Sequence, residues 1–171
     1  TADILKILPE LNNYPLQEII VHARYGKQLY NGMCDHDRFE ECIDLTQHSL
    51  VYNGDIASVS EYRKLKARFP AVSKWMLGRG AVANPFLFEM IQDDTDEFPE
   101  DRKEVFHEFL LLLLENHLKE STNQGNVLLK MKHFWEYFAG SFEEGQMYYR
   151  WVKRSDTVAE YEEVLQRICS E

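Results

Sequence analysis

The sequence has 171 residues, of which 44% are hydrophobic, and its 29 acidic and 19 basic side chains give a formal net charge of -10. A chain of this size can bury a sizeable core in one or two domains, whereas its charge argues against indiscriminate nucleic-acid binding by the whole surface. Its three cysteines are an odd number without paired metal spacing, which argues against a disulfide framework or a zinc site and favours a reducing cytoplasm. The longest apolar run, Phe109 to Leu114, is too short to span a bilayer.

The first predicted strand lies close to the N-terminus. A short helix over residues 2–8 is predicted to stop at Pro9, and residues 19–21 form an apolar run typical of a buried strand. This strand ends at His22, Ala23 and Arg24. Ligands of α/β folds lie at the carboxyl ends of the strands, so His22 is a candidate site residue, although a lone histidine there is more often structural.

A long polar connection follows, from residue 25 to residue 37. Long loops at this end of a strand tend to carry function. Cys34 lies in the loop as a conceivable nucleophile or acid, but no base is evident nearby in the sequence, and we interpret it as non-catalytic. Asp37 is predicted to cap a helix whose inner face includes Phe39 and Cys42.

The second predicted strand, residues 49–52, ends in the turn Asn53-Gly54-Asp55. Asn-Gly usually indicates a hairpin, yet no alternating strand follows. Instead, Ser58 and Glu61 form a capping box, and the helix that they begin is predicted to end at Pro70.

The third predicted strand, residues 75–77, is an apolar run typical of a buried parallel strand and leads into Gly78-Arg79-Gly80. Glycine lets a phosphate approach the main chain, and Arg79 would add a charge-assisted contact. A lone Gly-Arg-Gly is as often a plain turn as a phosphate site. The evidence for a phosphate site therefore comes from the similar turn after the second strand. A helix is predicted to begin at Asn84 and Pro85, and the repeat of strand, turn and helix is the parallel α/β pattern.

The C-terminal half is predicted to form a bundle of about four helices. An acidic linker over residues 91–98 is followed by a predicted helix over residues 100–120, whose apolar positions are Val105, Phe109, Leu112 and Leu113. Its block 110–114 is apolar nearly all round and is predicted to be buried between neighbours. Residues 126–154 are basic on balance, with interleaved tryptophans and tyrosines. This pattern is typical of RNA binding and equally of a helical core face with a solvated rim.

Three motifs in this order resemble the tRNA-dihydrouridine synthases, over about residues 8–88: His22-Ala23-Arg24, Asn53-Gly54-Asp55-Ile56, and Gly78-Arg79-Gly80-Ala81 followed by Asn84-Pro85-Phe86-Leu87-Phe88. The resemblance implies a partial TIM (β/α)8 barrel of about three parallel strands over residues 1–92. It implies an all-α, tRNA-binding helical bundle over residues 93–171. It also implies a cytoplasmic oxidoreductase that reduces uridine in tRNA to 5,6-dihydrouridine, with FMN as cofactor and NADPH or NADH as reductant.

The resemblance also implies the roles of particular residues. The FMN contacts would be His22, Asn53, Gly54, Asp55, Gly78 and Arg79. The tRNA contacts would be Arg24, Lys130, Lys132, Arg150 and Arg154. No metal ligand is expected.

The family's acid cysteine and flavin-ring lysine have no matching motif here, and Cys34 does not match the cysteine's position. We therefore expect the C-terminal portion of a synthase, beginning at Thr1, with no catalytic residue of its own and no activity alone. Uncovered barrel edges would favour association with a second copy or leave the chain poorly stable.

Two alternatives stay open at this point. One is another FMN barrel, such as a relative of dihydroorotate dehydrogenase or old yellow enzyme, acting on a small molecule. The other is a non-catalytic fragment that binds RNA or protein through its helices.

Overall fold

The computed structural model describes residues 3–29 and 31–171, so the predicted helix start at Ala2 lies outside the described residues. The chain divides into two compact units, Thr1–Gly80 and Ala81–Glu171, which we call the α/β unit and the helical unit. The family domain boundary expected near residue 92 stays a prediction.

The α/β unit alternates helices with the strands of a parallel sheet. Its strand order is β1-β2-β3, and β2 pairs with both neighbours. This arrangement confirms the predicted repeat of strand, turn and helix. The bounds are α1 (Ile4–Leu11), β1 (Glu18–His22), α2 (His36–Ile43), β2 (Ser49–Asn53), α3 (Val59–Arg68) and β3 (Lys74–Met76).

Helices cover one face of this sheet. The Tyr52 ring lies 4.8 Å from the ring of Phe39 on α2 and 5.7 Å from that of Phe69, and the Trp75 ring lies 5.4 Å from that of Tyr62 on α3. Side chains alternate between the faces of a strand, so neighbouring positions point away from the helices.

On the opposite face, Ile20 of β1 and Met76 of β3 are exposed, which makes the predicted burial of these two strands wrong at those positions. In the described sheet β1 and β3 are edge strands, whereas β2 lies between two partners and is buried from Leu50 to Tyr52. An apolar run in the sequence cannot distinguish an edge strand from a central one.

Two helix boundaries in this unit differ from the predicted ones. Pro9 lies inside α1. Its missing N–H removes one helical hydrogen bond, and the complete burial of Leu8 by the helix offsets this loss. The cap of α2 is Asp35 rather than Asp37: its carboxylate accepts from the backbone N–H of Arg38 at 3.0 Å. The cap of α3 is Ser58, as predicted.

The segment after β3 becomes helical earlier than predicted, since α4 (Arg79–Ala83) begins within the glycine turn. Its successor α5 (Leu87–Gln92) starts beyond the predicted position, because the Asn84 side chain accepts from the N–H of Phe86 and closes a local turn instead of capping a helix.

The helical unit contains the predicted four-helix arrangement, with α6 (Arg102–Glu120), α7 (Gln124–Phe138), α8 (Gly145–Arg154) and α9 (Val158–Ser170). Large aromatic side chains dominate its core: Phe106, Trp135, Phe138, Tyr148 and Tyr161. Within the described residues, no helix is both long and apolar enough to cross a membrane.

The rotation of α6 differs from the prediction. The helix buries Phe106, Leu110 and Leu114, whereas Val105, Phe109 and Leu112 are exposed, although the block 110–114 was expected to be buried. A block that is apolar nearly all round gives no periodic signal for the inward direction. Contacts with α7 settle it, since the Phe106 ring lies 5.1 Å from that of Phe138.

Candidate functional site

The carboxyl ends of the three strands form one rim. The sheet register places His22 beside Asn53 and Asn53 beside Met76. These three residues lie side by side on neighbouring strands and share the helix-free face, on which His22 is exposed. The turns after β2 and β3 therefore leave neighbouring parallel strands at the same edge, which is where phosphate groups are commonly bound in α/β barrels.

The two glycine turns touch each other. A Cβ atom on Gly80 would lie 2.1 Å from the backbone oxygen of Ile56 and 2.8 Å from the Cα of Ala57. Only a residue without a side chain allows this approach of the third turn to the second. The contact fixes the spacing of the two loops that the sequence singled out.

The other two glycines of the turns have contrasting surroundings. A Cβ on Gly54 would lie 2.6 Å from the Cys34 Sγ and 2.9 Å from the Tyr52 hydroxyl, so this position is filled by the protein itself. A Cβ on Gly78 would meet no atom within 4 Å. The backbone at Gly78 is thus open to the approach of a ligand, whereas that at Gly54 is structural.

Asp55 connects all three strand-end loops. Its Oδ2 accepts from Arg24 Nη2 and, at 3.3 Å, from the thiol of Cys34, and its Oδ1 accepts from Arg79 Nη2 at 3.2 Å. Arg24 follows β1, Cys34 lies before α2 and Arg79 follows β3. Both carboxylate oxygens thus have protein donors, and Asp55 joins the loops electrostatically.

The contacts of this cluster shift the pKa values of Asp55 and Cys34 in opposite directions. Burial alone would raise the pKa of Asp55, but hydrogen bonds from Cys34 and Arg24 and the charges of Arg24 and Arg79 outweigh it and hold that pKa below its usual value. Burial, together with the neighbouring Asp55 carboxylate, raises the pKa of the Cys34 thiol. Cys34 is therefore a protonated donor rather than a reactive thiolate.

Arg24 is engaged inside this cluster. Its side chain is only 4% exposed, and its Nη1 donates to the backbone oxygen of Asn31 at 3.0 Å. Its Nε is buried without a hydrogen-bond partner among the described residues. The expected contact of Arg24 with tRNA stays a prediction, and in this structure the guanidinium binds Asp55.

The four basic residues predicted to contact tRNA lie on two helices of the helical unit. Lys130 and Lys132 are on α7, and Arg150 and Arg154 are exposed one turn apart on α8. Of the five interleaved aromatic residues, Trp135 and Tyr148 belong to the buried core, Tyr149 and Trp151 pack against it, and Tyr137 is 43% exposed. The aromatic signal in the sequence is thus largely a core signal, while the cations remain outside.

Sequence reasoning missed the Arg24–Asp55–Cys34 connection, although opposite charges at the ends of adjacent predicted strands were a usable signal for the ion pair. No comparable feature of the sequence indicated that the Cys34 thiol would bind Asp55. Among the described residues, no cluster of three or more histidine, cysteine or acidic side chains has the geometry of a metal site.

Comparisons with known proteins indicate the family of the chain. A sequence model of the family described as dihydrouridine synthase matches residues 1–171. The human protein named tRNA-dihydrouridine(47) synthase [NAD(P)(+)]-like is 28% identical over 114 residues, which are 65% of this chain and 17% of the human protein. The Arabidopsis thaliana protein of the same name is 27% identical over 89 residues, or 51% of this chain and 13% of that protein.

A bacterial relative shows the same resemblance. The Aquifex aeolicus protein named probable tRNA-dihydrouridine synthase is 26% identical over 96 residues, or 55% of this chain and 29% of that protein. The chain therefore aligns with less than a third of the length of each of these three relatives.

Proposed function

The chain belongs to the dihydrouridine synthase family, and from this premise we propose that it carries the FMN phosphate-binding part of a flavin-dependent tRNA-dihydrouridine synthase. Residues 1–92 would be the C-terminal part of an FMN-binding TIM barrel, and residues 93–171 a tRNA-binding helical domain. The observation that carries this proposal is the contact between two glycine turns at the ends of neighbouring parallel strands.

The strand-end rim fits the phosphate and ribityl groups of FMN. Gly78 leaves its backbone open to a ligand, and Arg79 extends beside it with a half-exposed side chain. We assign the phosphate to these two residues, because an arginine beside an accessible backbone suits an anion. His22 and Asn53, adjacent on the helix-free face, would face the rest of the cofactor. Gly54 and Asp55 would shape the site from behind.

Bound FMN, reduced by NADPH or NADH, would supply the hydride that converts uridine in tRNA to 5,6-dihydrouridine. The chain's own part is to hold the cofactor and to bring the tRNA to it. The uncovered sheet face supports the assignment to a barrel, since this face of the strands points into the interior of a closed barrel. The family match supports a synthase over an FMN enzyme for a small molecule.

The flavin part of the proposal is tested by comparing FMN with riboflavin, which lacks the phosphate. Arg79→Gln should weaken FMN binding by about tenfold, the loss of one charge-assisted contact, and leave riboflavin binding unchanged. Quenching of flavin fluorescence measures both. Arg68→Gln is the matched control, because Arg68 also pairs with acids, but with Asp37 and Glu40 of α2 rather than with a predicted cofactor residue. Absence of flavin binding by the wild-type chain would contradict the proposal.

The tRNA part is tested separately. Replacing Arg150 and Arg154 by alanine should weaken tRNA binding and make its salt dependence shallower, since fewer phosphates are neutralised. The double variant Lys64→Ala and Lys66→Ala on α3 removes the same charge from another exposed surface. An equal loss with both pairs of substitutions would indicate only a general charge effect.

Catalysis gives a third test. No cysteine in this chain matches the family's acid, so we expect no uridine reduction when the chain is incubated with FMN, NADPH and unmodified tRNA. Formation of dihydrouridine, measured by mass spectrometry of the digested tRNA, would show that the chain carries its own acid.

A further inference from the structure

The outward side of α6 carries a line of exposed apolar side chains. Val105, Phe109 and Leu112 are 42%, 39% and 56% exposed. Their spacing of four and three residues places them on one line along about two turns of helix. Water therefore contacts a continuous apolar stripe on an otherwise well-packed helix.

This stripe is held rigidly by the core behind it. Phe106, Leu110 and Leu114, on the opposite side of α6, are almost completely buried. The Phe109 ring also lies 6.1 Å from the ring of Phe138 on α7. A fixed apolar surface of this kind suits a partner better than a mobile one, because less conformational entropy is lost on binding.

Acidic side chains border the stripe on one flank. At about 100° per residue, Glu104, Glu108 and Glu115 lie together beside the apolar line, and all three are exposed. Lys119 reduces the charge locally through its 2.8 Å contact with Glu115. The flank stays acidic overall, in contrast to the exposed surface of α8 with its arginines.

We propose that this acidic stripe, defined as Val105, Phe109 and Leu112 with Glu104, Glu108 and Glu115, binds a basic amphipathic helix of a protein partner. The apolar face of such a helix would pack on the three apolar side chains, and its lysines or arginines would reach the glutamates. The acids oppose the approach of RNA. They also oppose a second copy packed antiparallel through this stripe, since that two-fold arrangement would place the glutamates of both copies on the same side.

A synthetic peptide tests the proposal on the whole chain. The probe is a helix of about 18 residues with leucines at positions i, i+3, i+4 and i+7 and lysines elsewhere, long enough to form a helix on binding. A peptide of the same composition in scrambled order is its control. Fluorescence anisotropy should show the amphipathic peptide binding at least about tenfold more tightly than the scrambled one.

Matched variants locate the binding surface. Leu112→Glu should weaken peptide binding by about tenfold or more, whereas Leu129→Glu should change it by less than about twofold. Leu129 is similarly exposed, at 54%, but lies on α7 beside Lys130. The double variant Glu108→Gln and Glu115→Gln should weaken binding and reduce its dependence on salt.

Several outcomes would overturn the proposal. Equal binding of the ordered and scrambled peptides would show only attraction of a cation to an acidic chain, and equal effects of Leu112→Glu and Leu129→Glu would place the contact elsewhere. Weaker binding of tRNA by Leu112→Ala than by the wild-type chain would indicate a nucleic-acid surface. Sedimentation showing a dimer that Leu112→Glu abolishes would indicate a second copy as the occupant.

Discussion

The two units position their candidate functional side chains in different ways. In the α/β unit the predicted cofactor residues lie on loops that are tied together by polar contacts around Asp55. In the helical unit an aromatic core fixes four helices, and the charged side chains project from their outer surfaces. A substitution of Asp55 should therefore disturb stability and ligand binding together, whereas surface substitutions in the second unit should affect binding alone.

Both units also depend on one close backbone approach at a glycine. In the α/β unit Gly80 lies against Ile56, and in the helical unit a Cβ on Gly145 would lie 1.7 Å from the backbone oxygen of Ala139. These contacts are the points at which each unit should be easiest to break.

The largest expected effects are those of Gly80→Ala and Gly145→Ala. Each added methyl group would overlap a backbone atom that cannot move without shifting its segment, so we expect each variant to lose about 3 kcal/mol or more of the free energy of unfolding. Urea unfolding measures the total. Hydrogen exchange of peptides from each unit shows whether the loss is confined to the unit that carries the substitution.

Matched glycines provide the controls for this pair. A Cβ on Gly78 or Gly140 meets nothing within 4 Å, so alanine at either position should change the stability by less than about 1 kcal/mol. Equal stability of Gly80→Ala and Gly78→Ala would mean that the two turns do not touch.

The next largest effect is expected for Asp55→Asn, which leaves the buried guanidinium of Arg24 without its counter-charge. Removing one partner of a buried pair is costly, and because Asp55 is partly exposed we expect a loss of about 2 kcal/mol. The matched control is Asp3→Asn, which alters a similarly exposed aspartate paired with Arg38. Protection of amides in the loops after β1 and β3 should fall only in the first variant.

The pH dependence of this difference has a definite sign. The folded pKa of Asp55 lies below the ordinary 3.8, so its ionised form stabilises the fold above that pH. This contribution is lost as the pH falls through the folded pKa. The stability difference between wild type and Asp55→Asn should therefore shrink below about pH 4, as measured by urea unfolding over a pH series. A difference that persists in acid would rule out the charge as its source.

Much of the fold was predictable because local signals were strong. Apolar runs located all three strands, two of which end in glycine turns, and the capping residue Ser58 marked a helix start that the structure confirms. The rotation of α6 was not predictable, since the block 110–114 has no polar side to orient it. Nor was the helix through Pro9, because its stability comes from tertiary burial of Leu8.

The candidate site was likewise predictable only in part. The predicted parallel α/β pattern placed the turns at Gly54 and Gly78 at one edge of the sheet, because parallel strands end at the same edge. It did not predict the donors of Asp55. Arg24 and Cys34 precede it by 31 and 21 residues, and these contacts exist only once the chain has folded.

A smaller loss of stability is expected in the helical unit, where a buried hydrogen bond can be compared with an exposed one. Tyr161→Phe would leave the buried indole N–H of Trp135 without its acceptor, now 3.1 Å away, at a cost of about 1.5 kcal/mol. Tyr149→Phe removes an exposed hydrogen bond to Glu136 and should cost less than about 0.5 kcal/mol. Urea unfolding compares the two. Equal losses would mean that the Trp135 contact is no more important than a surface one.

The smallest effect concerns His36 of the α/β unit, whose ring lies 6.2 Å from the rings of Tyr52 and Phe69. Burial, and secondarily the charge of Arg68, lower its pKa below 6.5. The unfolded chain then binds a proton that the folded chain resists, so stability decreases as the pH falls through 6.5. Because His36 is partly exposed, the decrease should stay below about 1 kcal/mol between pH 7.5 and pH 5.

Two variants test the assignment of this pH dependence to His36. His36→Asn should flatten the stability of the α/β unit over that range, whereas His133→Asn, on the exposed side of α7, should leave it unchanged. Hydrogen exchange of α2 and α3 peptides at the two pH values measures the local effect. If His36→Asn leaves the pH slope intact, the proton is taken up elsewhere, and the ring cluster around Tyr52 tolerates a charged imidazole.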